Sequence, residues 1–310
     1  MGSVKFSVFA DIHFMNGFWC GDVDKRLDFI LERAKKENVD FIVHLGDFCH
    51  NPATEKEAID KYNNFEIPTY HVLGNHDLDT LTLDEVVAHY KMPSEYYYFD
   101  VKGFRFVALN ANYCRVDGED IPYGRANYFK LPRDYISKKQ LDWFEDVVMS
   151  SPYPVIVFSH GNLERDDHNG GAGLKNREEF QSIVRKAHKN KKRILMCLCG
   201  HHHVDYMRIY EHVCYFSVNS ATMNYLSPPH HLFPEEFHKE HYGSQSCVIY
   251  NDPIHPIITL SDDGMIEIEG MESTFFHDVT LADATGSDCQ HAIKVTPTVL
   301  SEKLWLPIKL

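Results

Sequence analysis

No run of about 18 consecutive apolar residues occurs in the 310-residue sequence, so no transmembrane helix is expected. The strand-like apolar run that begins at Val4 leaves no room for a signal peptide before it. Eight cysteines are too few for a dense disulfide framework in a chain of this length. Together these absences predict a protein of the reducing cytoplasm that enters no membrane.

Positive charge is scarce as well, since 31 lysine and arginine residues stand against 45 aspartate and glutamate residues, for a formal net charge of −14. Duplex nucleic acid is bound through basic surface, so it is not an expected partner. Small anionic substrates stay possible, because bound cations would offset part of the acidic charge. The hydrophobic content of 44% and the charged content of 25% are those of a soluble globular enzyme.

Internal repeats and linkers rich in proline, glycine or serine are also lacking. The sequence therefore predicts one domain over residues 1–270, with residues 271–310 as an appendage that packs on it. Residues 113–136 contain two glycines and two prolines and are predicted to be a long surface insertion. Loops of that length are usually functional or mobile.

Short apolar, β-branched runs alternate with amphipathic helical segments along most of the chain. This is the βαβ pattern that builds parallel or mixed sheets. The periodicity of apolar residues predicts a helix over about residues 24–37. Further helices are predicted from the capping pairs Thr54–Glu57, Thr82–Glu85, Ser137–Gln140 and Asn176–Glu179. The predicted strands are residues 4–11, 41–45, 69–73, 104–109, 155–158, 194–199, 215–218, 246–250, 257–260 and 265–268.

Five of these strands end in aspartate, asparagine or histidine, which would be an odd coincidence in a purely structural protein. These side chains are oxygen and nitrogen ligands that suit Mn, Fe, Co or Zn better than Ca. Alternate residues of an extended segment point the same way, which would place the first and third residues of a D-x-H or H-x-H motif together. We therefore predict one metal site at the rim of a sheet. The motifs are Asp11-Ile12-His13, Gly46-Asp47, Gly74-Asn75-His76-Asp77, His160 and Gly200-His201-His202-His203.

As an ordered set, D-x-H, G-D, G-N-H-[DE], a lone His and G-H-x-H resemble the calcineurin-like metallophosphoesterase family. The motif style is similar to the branch of small-molecule phosphodiesterases and Mn-dependent ADP-ribose pyrophosphatases. The resemblance covers residues 11–203 and implies an α/β (α+β) fold, a four-layer sandwich of two mixed β-sheets flanked by helices. It also implies a hydrolase in which a hydroxide bridging two metal ions (Mn, Fe or Zn) attacks a small phosphodiester or phosphoanhydride, including a nucleotide.

The resemblance also assigns a role to each motif residue. His76 would be the general acid or an electrostatic stabiliser, and Asp77 would orient its ring. The metal ligands would be Asp11, His13 and His203 for the first ion, Asn75, His160 and His201 for the second, and Asp47 as the bridge between them.

Other polar residues near the motifs are assigned roles other than metal binding. His50 is predicted to be a surface histidine rather than a pocket residue, and Asn176 a plain helix cap rather than a substrate contact. Asn112 is a second candidate for substrate contact, and His202 is either an outer-shell residue or a packed side chain. The histidines at 230, 231, 238 and 241 are assigned to loop surface.

Substrate class rests on fewer residues. Phe18, Trp19 and Tyr113 lie in loops beside predicted ligands, where they would either stack on a nucleobase or pack within the loop. Two alternatives to a diesterase stay open: a phosphomonoesterase, and a metal-free interaction scaffold of the same fold. The complete ligand set favours an enzyme over a scaffold.

Overall fold

The structure is a computed structural model that describes residues 2–15, 19–164, 173–226, 231–285 and 295–308. Within those ranges, none of the helices is both long and apolar enough to cross a membrane. The seven cysteines found there are all buried and form no disulfide with one another.

Strands dominate the described part of the chain. In chain order they are β1 (Ser3–Phe9), β2 (Phe41–His44), β3 (Thr69–His71), β4 (Tyr97–Val101), β5 (Phe104–Leu109), β6 (Tyr113–Val116), β7 (Glu119–Pro122), β8 (Val155–Ser159), β9 (Ile194–Cys199), β10 (Tyr206–Tyr210), β11 (Val213–Ser217), β12 (Met223–Tyr225), β13 (Cys247–Ile249), β14 (Ile257–Ser261), β15 (Met265–Glu269), β16 (Met271–Glu272), β17 (Thr298–Val299) and β18 (Glu302–Trp305). The α-helices are α1 (Val23–Lys36), α2 (Lys56–Asn63), α3 (Leu83–His89), α4 (Lys138–Ser150), α5 (Arg177–Lys189), α6 (Glu235–Glu240) and α7 (Leu281–Thr285).

Twelve of these strands form two six-stranded sheets, in the orders β18-β15-β14-β1-β2-β3 and β10-β11-β9-β8-β5-β4, and the other six pair as β6-β7, β12-β13 and β16-β17. In the first sheet, β1, β2 and β3 are parallel, whereas β14, β15 and β18 pair antiparallel. In the second sheet, β5, β8, β9 and β11 are parallel, and β4 and β10 are antiparallel edge strands. The prediction of two mixed sheets is confirmed.

The main core lies between the two sheets. Phe6 of β1 meets Phe106 of β5 with ring centroids 5.4 Å apart. Successive side chains of a strand point to opposite faces, so Phe9 lies on the outer face, where it contacts Tyr62 of α2 at 5.6 Å. α1 lies beside α2. Helices therefore cover the outer face of the first sheet.

A second core covers the outer face of the second sheet. There, Phe144 of α4 stacks on Phe180 of α5 with centroids 5.3 Å apart. Both rings pack in one cluster with Val107 of β5 and Val157 of β8. Helix, sheet, sheet and helix thus form the predicted four layers.

Two of the four predicted helix caps are present, and those at Thr54 and Asn176 are wrong. Thr82 and Glu85 form a reciprocal capping box, and the Ser137 side chain accepts from the backbone of Gln140. Thr54 is not a cap, because α2 begins later and its own cap position makes no side-chain hydrogen bond. The Thr54 hydroxyl donates instead to the carbonyl of Asn51 in the preceding turn.

The insertion and the described part of the tail contain more regular structure than their sequences indicate. Residues 113–136 form the β6–β7 hairpin and a short 3-10 turn, and Tyr113, Tyr123 and Tyr128 are buried. The prediction of a surface segment is wrong for these rings, which pack onto the domain. In the tail, β18 is the edge strand of the first sheet. The domain limits at residues 270 and 271 stay a prediction.

Candidate metal centre

The parallel strands bring the motif residues to a common edge. Asp11 and Asp47 follow β1 and β2, and Asn75 follows the segment that begins with β3. In the second sheet, His160 follows β8 and His201 comes after β9. Because parallel strands end at the same edge of a sheet, each sheet presents its polar residues as one row. The two rows meet, so the predicted site is assembled from both sheets.

The motif backbones are not extended, and the predicted reason for the D-x-H and H-x-H spacing is wrong. Most of the predicted ligands have positive φ values, a region that non-glycine residues rarely occupy. Each such residue costs of order 1–3 kcal/mol and persists only where its surroundings hold it. The φ values are 52° for Asp11, 55° for His13, 56° for Asp47, 71° for His201 and 52° for His203.

Neighbouring segments hold the first of these turns in place. The backbone N–H of Asp11 donates to the carbonyl of Gly46 at 3.0 Å, and that of His13 donates to the carbonyl of Asp47 at 3.1 Å. On the other side, the Ser220 hydroxyl donates to the carbonyl of Asp11 at 2.8 Å. The turn after β1 is therefore clamped between the G-D loop and the segment before β12.

The motif glycines are required by close approach. A Cβ atom on Gly74 would lie 2.1 Å from the backbone nitrogen of Asp47, and one on Gly46 would lie 2.4 Å from Nδ1 of His160. A Cβ atom on Gly200 would lie 2.6 Å from Oδ2 of Asp11. Each distance is shorter than a non-bonded contact allows, so the loops can converge only where the side chain is absent.

The first ligand cluster comprises Asp11, His13 and His203, whose ligand atoms lie within 4.8 Å of one another. Nε2 of His203 is 3.4 Å from Oδ1 of Asp11 and 3.1 Å from Nε2 of His13. Nδ1 of His203 donates to the carbonyl of Met223 at 2.8 Å. That bond fixes the tautomer of His203 and directs Nε2 into the cluster.

The second cluster comprises Asp47, His160 and His201, with Asn75 beside them. Nε2 of His160 lies 3.2 Å from Oδ2 of Asp47 and 3.1 Å from Oδ1 of Asn75. Nδ1 of His201 is 3.2 Å from the same His160 nitrogen. Nδ1 of His160 donates to the carbonyl of Leu45 at 2.8 Å, so this ring is oriented in the same way as that of His203.

The electrostatics of these side chains suit the site to cations. Burial lowers the pKa of His13 and of His201 well below the usual value, so both rings are neutral donors. Burial also lowers the pKa of His160, but the adjoining Asp47 carboxylate outweighs it and raises that pKa to about 10. A proton on His160 therefore balances the buried carboxylate, which a metal cation would do instead. The donor set of carboxylate, imidazole and amide fits divalent transition metals.

Asp77 does not orient His76, and that part of the prediction is wrong. Residues His76–Leu78 form a 3-10 turn, and the Asp77 side chain is fully buried beneath the loops. Its oxygens accept hydrogen bonds from the backbone N–H groups of Asp47 at 3.0 Å, Gly74 at 2.7 Å and Cys49 at 3.1 Å, and from the Tyr90 hydroxyl at 2.6 Å.

Asp79 takes the place that the sequence reasoning gave to Asp77. Its Oδ2 lies 2.8 Å from Nδ1 of His76 and 3.0 Å from Nδ1 of His50, and its Oδ1 accepts from the Tyr128 hydroxyl at 2.6 Å. His50 is thus not a surface residue: its ring stacks on that of His76, and its Nε2 lies 3.0 Å from Nδ1 of His13. The sequence could have indicated Asp79, which lies two residues after the motif that ends at Asp77, whereas no motif spacing identifies Tyr128.

The remaining predictions for asparagine and histidine concern Asn176, Asn112 and His202. The buried Asn176 makes no capping bond, because its amide pairs with both backbone groups of Ile136 instead. Asn112 is buried next to the second cluster and donates to the carbonyl of Leu73 at 2.7 Å. The His202 ring is buried against that of His201, with centroids 5.1 Å apart.

The loop aromatic residues pack against one another. The Trp19 ring contacts those of Phe237, His241 and Phe276 at 4.8, 4.8 and 5.3 Å. The buried Tyr113 donates to Glu95, so this ring packs inside the protein. Phe18 and His230 lie outside the described residues. These contacts favour packing over base stacking for the rings of Trp19 and Tyr113.

Comparisons with known proteins identify relatives of this chain. A family model described as calcineurin-like phosphoesterase matches residues 4–205. A manganese-dependent ADP-ribose/CDP-alcohol diphosphatase from Oryza sativa subsp. japonica is 26% identical over 220 residues, covering 56% of this chain and 67% of that protein.

Two solved structures show the same fold. A dimetal phosphatase from Danio rerio has a TM-score of 0.59 at 14% identity, over 88% of this chain and 98% of that one. GAP50, the anchor in the inner membrane complex of Plasmodium, has a TM-score of 0.57 at 14% identity, over 99% of this chain and 90% of that one. At such identities the likeness extends to the fold alone.

The bridging role predicted for Asp47 gives the first testable expectation. Replacing Asp47 with Asn should lower affinity for both ions and abolish activity, because the carboxylate at the junction of the clusters is lost. The loss of affinity should exceed the 10–100-fold typical of removing an outer-shell partner. Calorimetric titration with Mn²⁺ and metal analysis measure it, and a crystal of the loaded protein should show two ions roughly 3.5 Å apart.

The exposed Asp142→Asn serves as the matched control, since it makes the same chemical change in the ion pair with Lys138. A loaded structure in which Asp47 touches neither ion would overturn the bridging assignment.

Proposed function

The chain belongs to the calcineurin-like phosphoesterase family and is a phosphoester hydrolase. We propose that it uses two metal ions to cleave a small-molecule phosphodiester or phosphoanhydride. The observation that carries this proposal is the meeting of two buried ligand clusters, Asp11–His13–His203 and Asp47–His160–His201, at one edge of the sandwich. A single cluster would support a structural ion equally well, whereas two adjoining clusters have the arrangement of a two-metal hydrolytic centre.

The chain's own residues divide the remaining tasks among themselves. When bound, two metal ions would activate a water molecule and neutralise charge on the phosphoryl oxygens. Asp11 and Asp47 supply the negative charge that holds such ions. His76 lies beside the clusters, and its backbone N–H donates to Oδ1 of Asp47 at 2.8 Å. Asp79 binds Nδ1 of His76, which leaves Nε2 to donate a proton to the departing oxygen.

The relatives support the substrate class and the metal. The name of the Oryza sativa relative gives manganese as its metal and ADP-ribose and CDP-alcohols, which are small diphosphates, as its substrates. We infer that this chain also acts on a small anionic phosphoester with Mn, Fe or Zn as its ions. The GAP50 likeness extends only to the fold, so it lends the scaffold alternative no functional support.

A substrate screen tests the proposal. Purified protein loaded with Mn²⁺ is offered phosphodiesters, nucleoside diphosphate derivatives and phosphomonoesters, with metal content measured in the same preparation. Diesters or diphosphates should be turned over and monoesters should not, and chelation should stop turnover. Turnover of monoesters alone would favour the phosphomonoesterase, and metal-free protein that binds no added Mn²⁺ would favour the scaffold.

The rate loss caused by replacing His76 should depend on the leaving group of the ester. His76→Ala should keep both metals but lose about 10²–10⁴-fold in rate on an ester with an alkoxide or ribose leaving group, the usual range for general acid catalysis. On an ester with an acidic phenol, which scarcely needs a proton, the loss should be much smaller. Metal content and both rates are measured in the same variant.

Asp79→Asn should reproduce part of that leaving-group-dependent loss, because it weakens the hold on the His76 ring. The exposed Asp84→Asn on α3 is the matched control. Equal losses on both esters would instead mean that His76 positions the phosphate, and loss of metal would make it a ligand.

Trp19 should behave as a packed side chain. Trp19→Ala should lower activity equally on a nucleotide diester and on a small chromogenic diester, because three neighbouring rings already occupy its surroundings. It should also lower the free energy of unfolding by about 1–3 kcal/mol, whereas Trp305→Ala, at an exposed position, should change it little. A loss confined to the nucleotide diester, corresponding to roughly 1–3 kcal/mol of stacking, would restore the base-stacking alternative.

A further inference from the structure

A cleft opens directly beside the second ligand cluster. Its wall on the metal side is formed by residues already placed in the centre. The opposite wall comes from the end of β5 and from the insertion, and it has no role in the two-metal chemistry. The polar residues are Asn75, His160 and His201 on the metal side and Asn112, Tyr123 and Asp134 on the opposite side.

Asp134 is held rigidly at this opposite wall. Its backbone has a φ of 75°, a left-handed conformation that costs a non-glycine residue energy. The Tyr123 hydroxyl donates to Oδ1 of Asp134 at 3.0 Å and accepts from the Asp134 backbone N–H at 2.9 Å. The backbone N–H of Lys175 donates to the Asp134 carbonyl at 2.7 Å. One carboxylate oxygen is thereby fixed by the protein.

The other oxygen of Asp134 is available to a ligand. Among the described residues its nearest charged neighbour is Arg133, whose Nε lies 3.7 Å from Oδ2, beyond hydrogen-bond distance. The side chain is 32% exposed. Asp134 lines the cleft, and beyond its ion pair with Arg133 its Oδ2 has no hydrogen-bond partner among the described residues.

Asn112 adds a second acceptor to the same wall. Its Nδ2 donates to the carbonyl of Leu73 at 2.7 Å and to Oδ1 of Asn110 at 2.9 Å, which uses both amide hydrogens. Its Oδ1 accepts no hydrogen bond within the described ranges. The Tyr123 hydroxyl hydrogen is committed to Asp134. The polar side chains of this wall therefore offer acceptors, which suit a ligand rich in donors and repel a second phosphate.

We propose that Asp134 and Asn112 form a subsite for a hydroxyl- or ammonium-bearing group esterified to the phosphate that the metal centre cleaves. This inference rests on the proposed function, because the substrate phosphate must sit at the ligand clusters for its substituent to reach the cleft. Sugar and polyol hydroxyls and the ammonium of an amino alcohol share the required chemistry: each donates hydrogen bonds to a carboxylate.

Three chromogenic diesters with one common leaving group test the subsite. Glyceryl, 2-aminoethyl and n-propyl p-nitrophenyl phosphate all release p-nitrophenol, so the contribution of His76 is the same for each. The glyceryl and propyl esters differ only in two hydroxyl groups. The Mn²⁺-loaded protein should show a kcat/KM about tenfold to a hundredfold higher for a donor-bearing ester than for the propyl ester, the range expected for hydrogen bonds to a charged group.

Asp134→Asn should erase that preference and leave the propyl rate within twofold of its original value. Asparagine tolerates the left-handed backbone as well as aspartate does, so the change removes charge without adding strain. Asp117→Asn is the matched control: it is an exposed aspartate of the same insertion, with a φ of 52°, at the hairpin turn. It should keep the preference.

The two donor-bearing esters separate the sources. A preference for the glyceryl ester assigns the subsite to hydroxyls, and one for the aminoethyl ester assigns it to an ammonium group. Equal kcat/KM values for all three esters, or an equal loss on all three in Asp134→Asn, would overturn the subsite while leaving the proposed function in place. Absence of metal-dependent turnover of every ester would overturn the proposed function, and the subsite would fall with it.

Discussion

The buried carboxylate of Asp77 is the contact on which the geometry of the centre depends. It binds backbone N–H groups on both sides of the site, in the loop after β2 and in the loop after β3. Those loops carry Asp47 and Asn75, so one side chain sets the distance between two predicted ligands of the second ion. Burial, followed by the neighbouring Asp47 charge, raises the pKa of Asp77 to about 7. Its four hydrogen bonds are what stabilise a carboxylate at that depth.

The strained turns above this contact follow from the same geometry. Ligands at the ends of straight strands would diverge into solvent, whereas a left-handed residue turns the chain sharply and brings the next side chain back over the sheet edge. Asp11, His13 and Asp47 all use this conformation. Its cost is offset by the two packed cores beneath, where Phe6 and Phe106 close the space between the sheets. A rigid sandwich is therefore a precondition for the site.

Several locally encoded features were predicted correctly from the sequence. Strand periodicity indicates parallel or mixed sheets, the family resemblance of the ordered motifs implies that there are two of them, and the Thr82–Glu85 capping box appears as expected. Prediction from the sequence failed where a side chain has several possible hydrogen-bond partners within reach. The preference of Asp77 for backbone amides over His76 depends on a 3-10 turn that no periodicity reveals. The position of Tyr128 against Asp79 depends on how the whole insertion folds back, 49 residues along the chain.

The insertion shows how one fold can keep its chemistry and change its substrate. The loops that follow the sheet strands supply every predicted metal ligand, and the hydrogen bonds that orient His160 and His203 come from the backbone carbonyls of Leu45 and Met223. Residues 113–136 supply none of these, but they place Tyr128 against Asp79 and form much of the cleft wall opposite the second cluster. The insertion also touches the centre at one point, because Nδ2 of Asn75 donates to the Tyr128 hydroxyl at 3.3 Å. Selection can thus act on the cleft wall for specificity and on the strand ends for reaction, with Tyr128 linking the two.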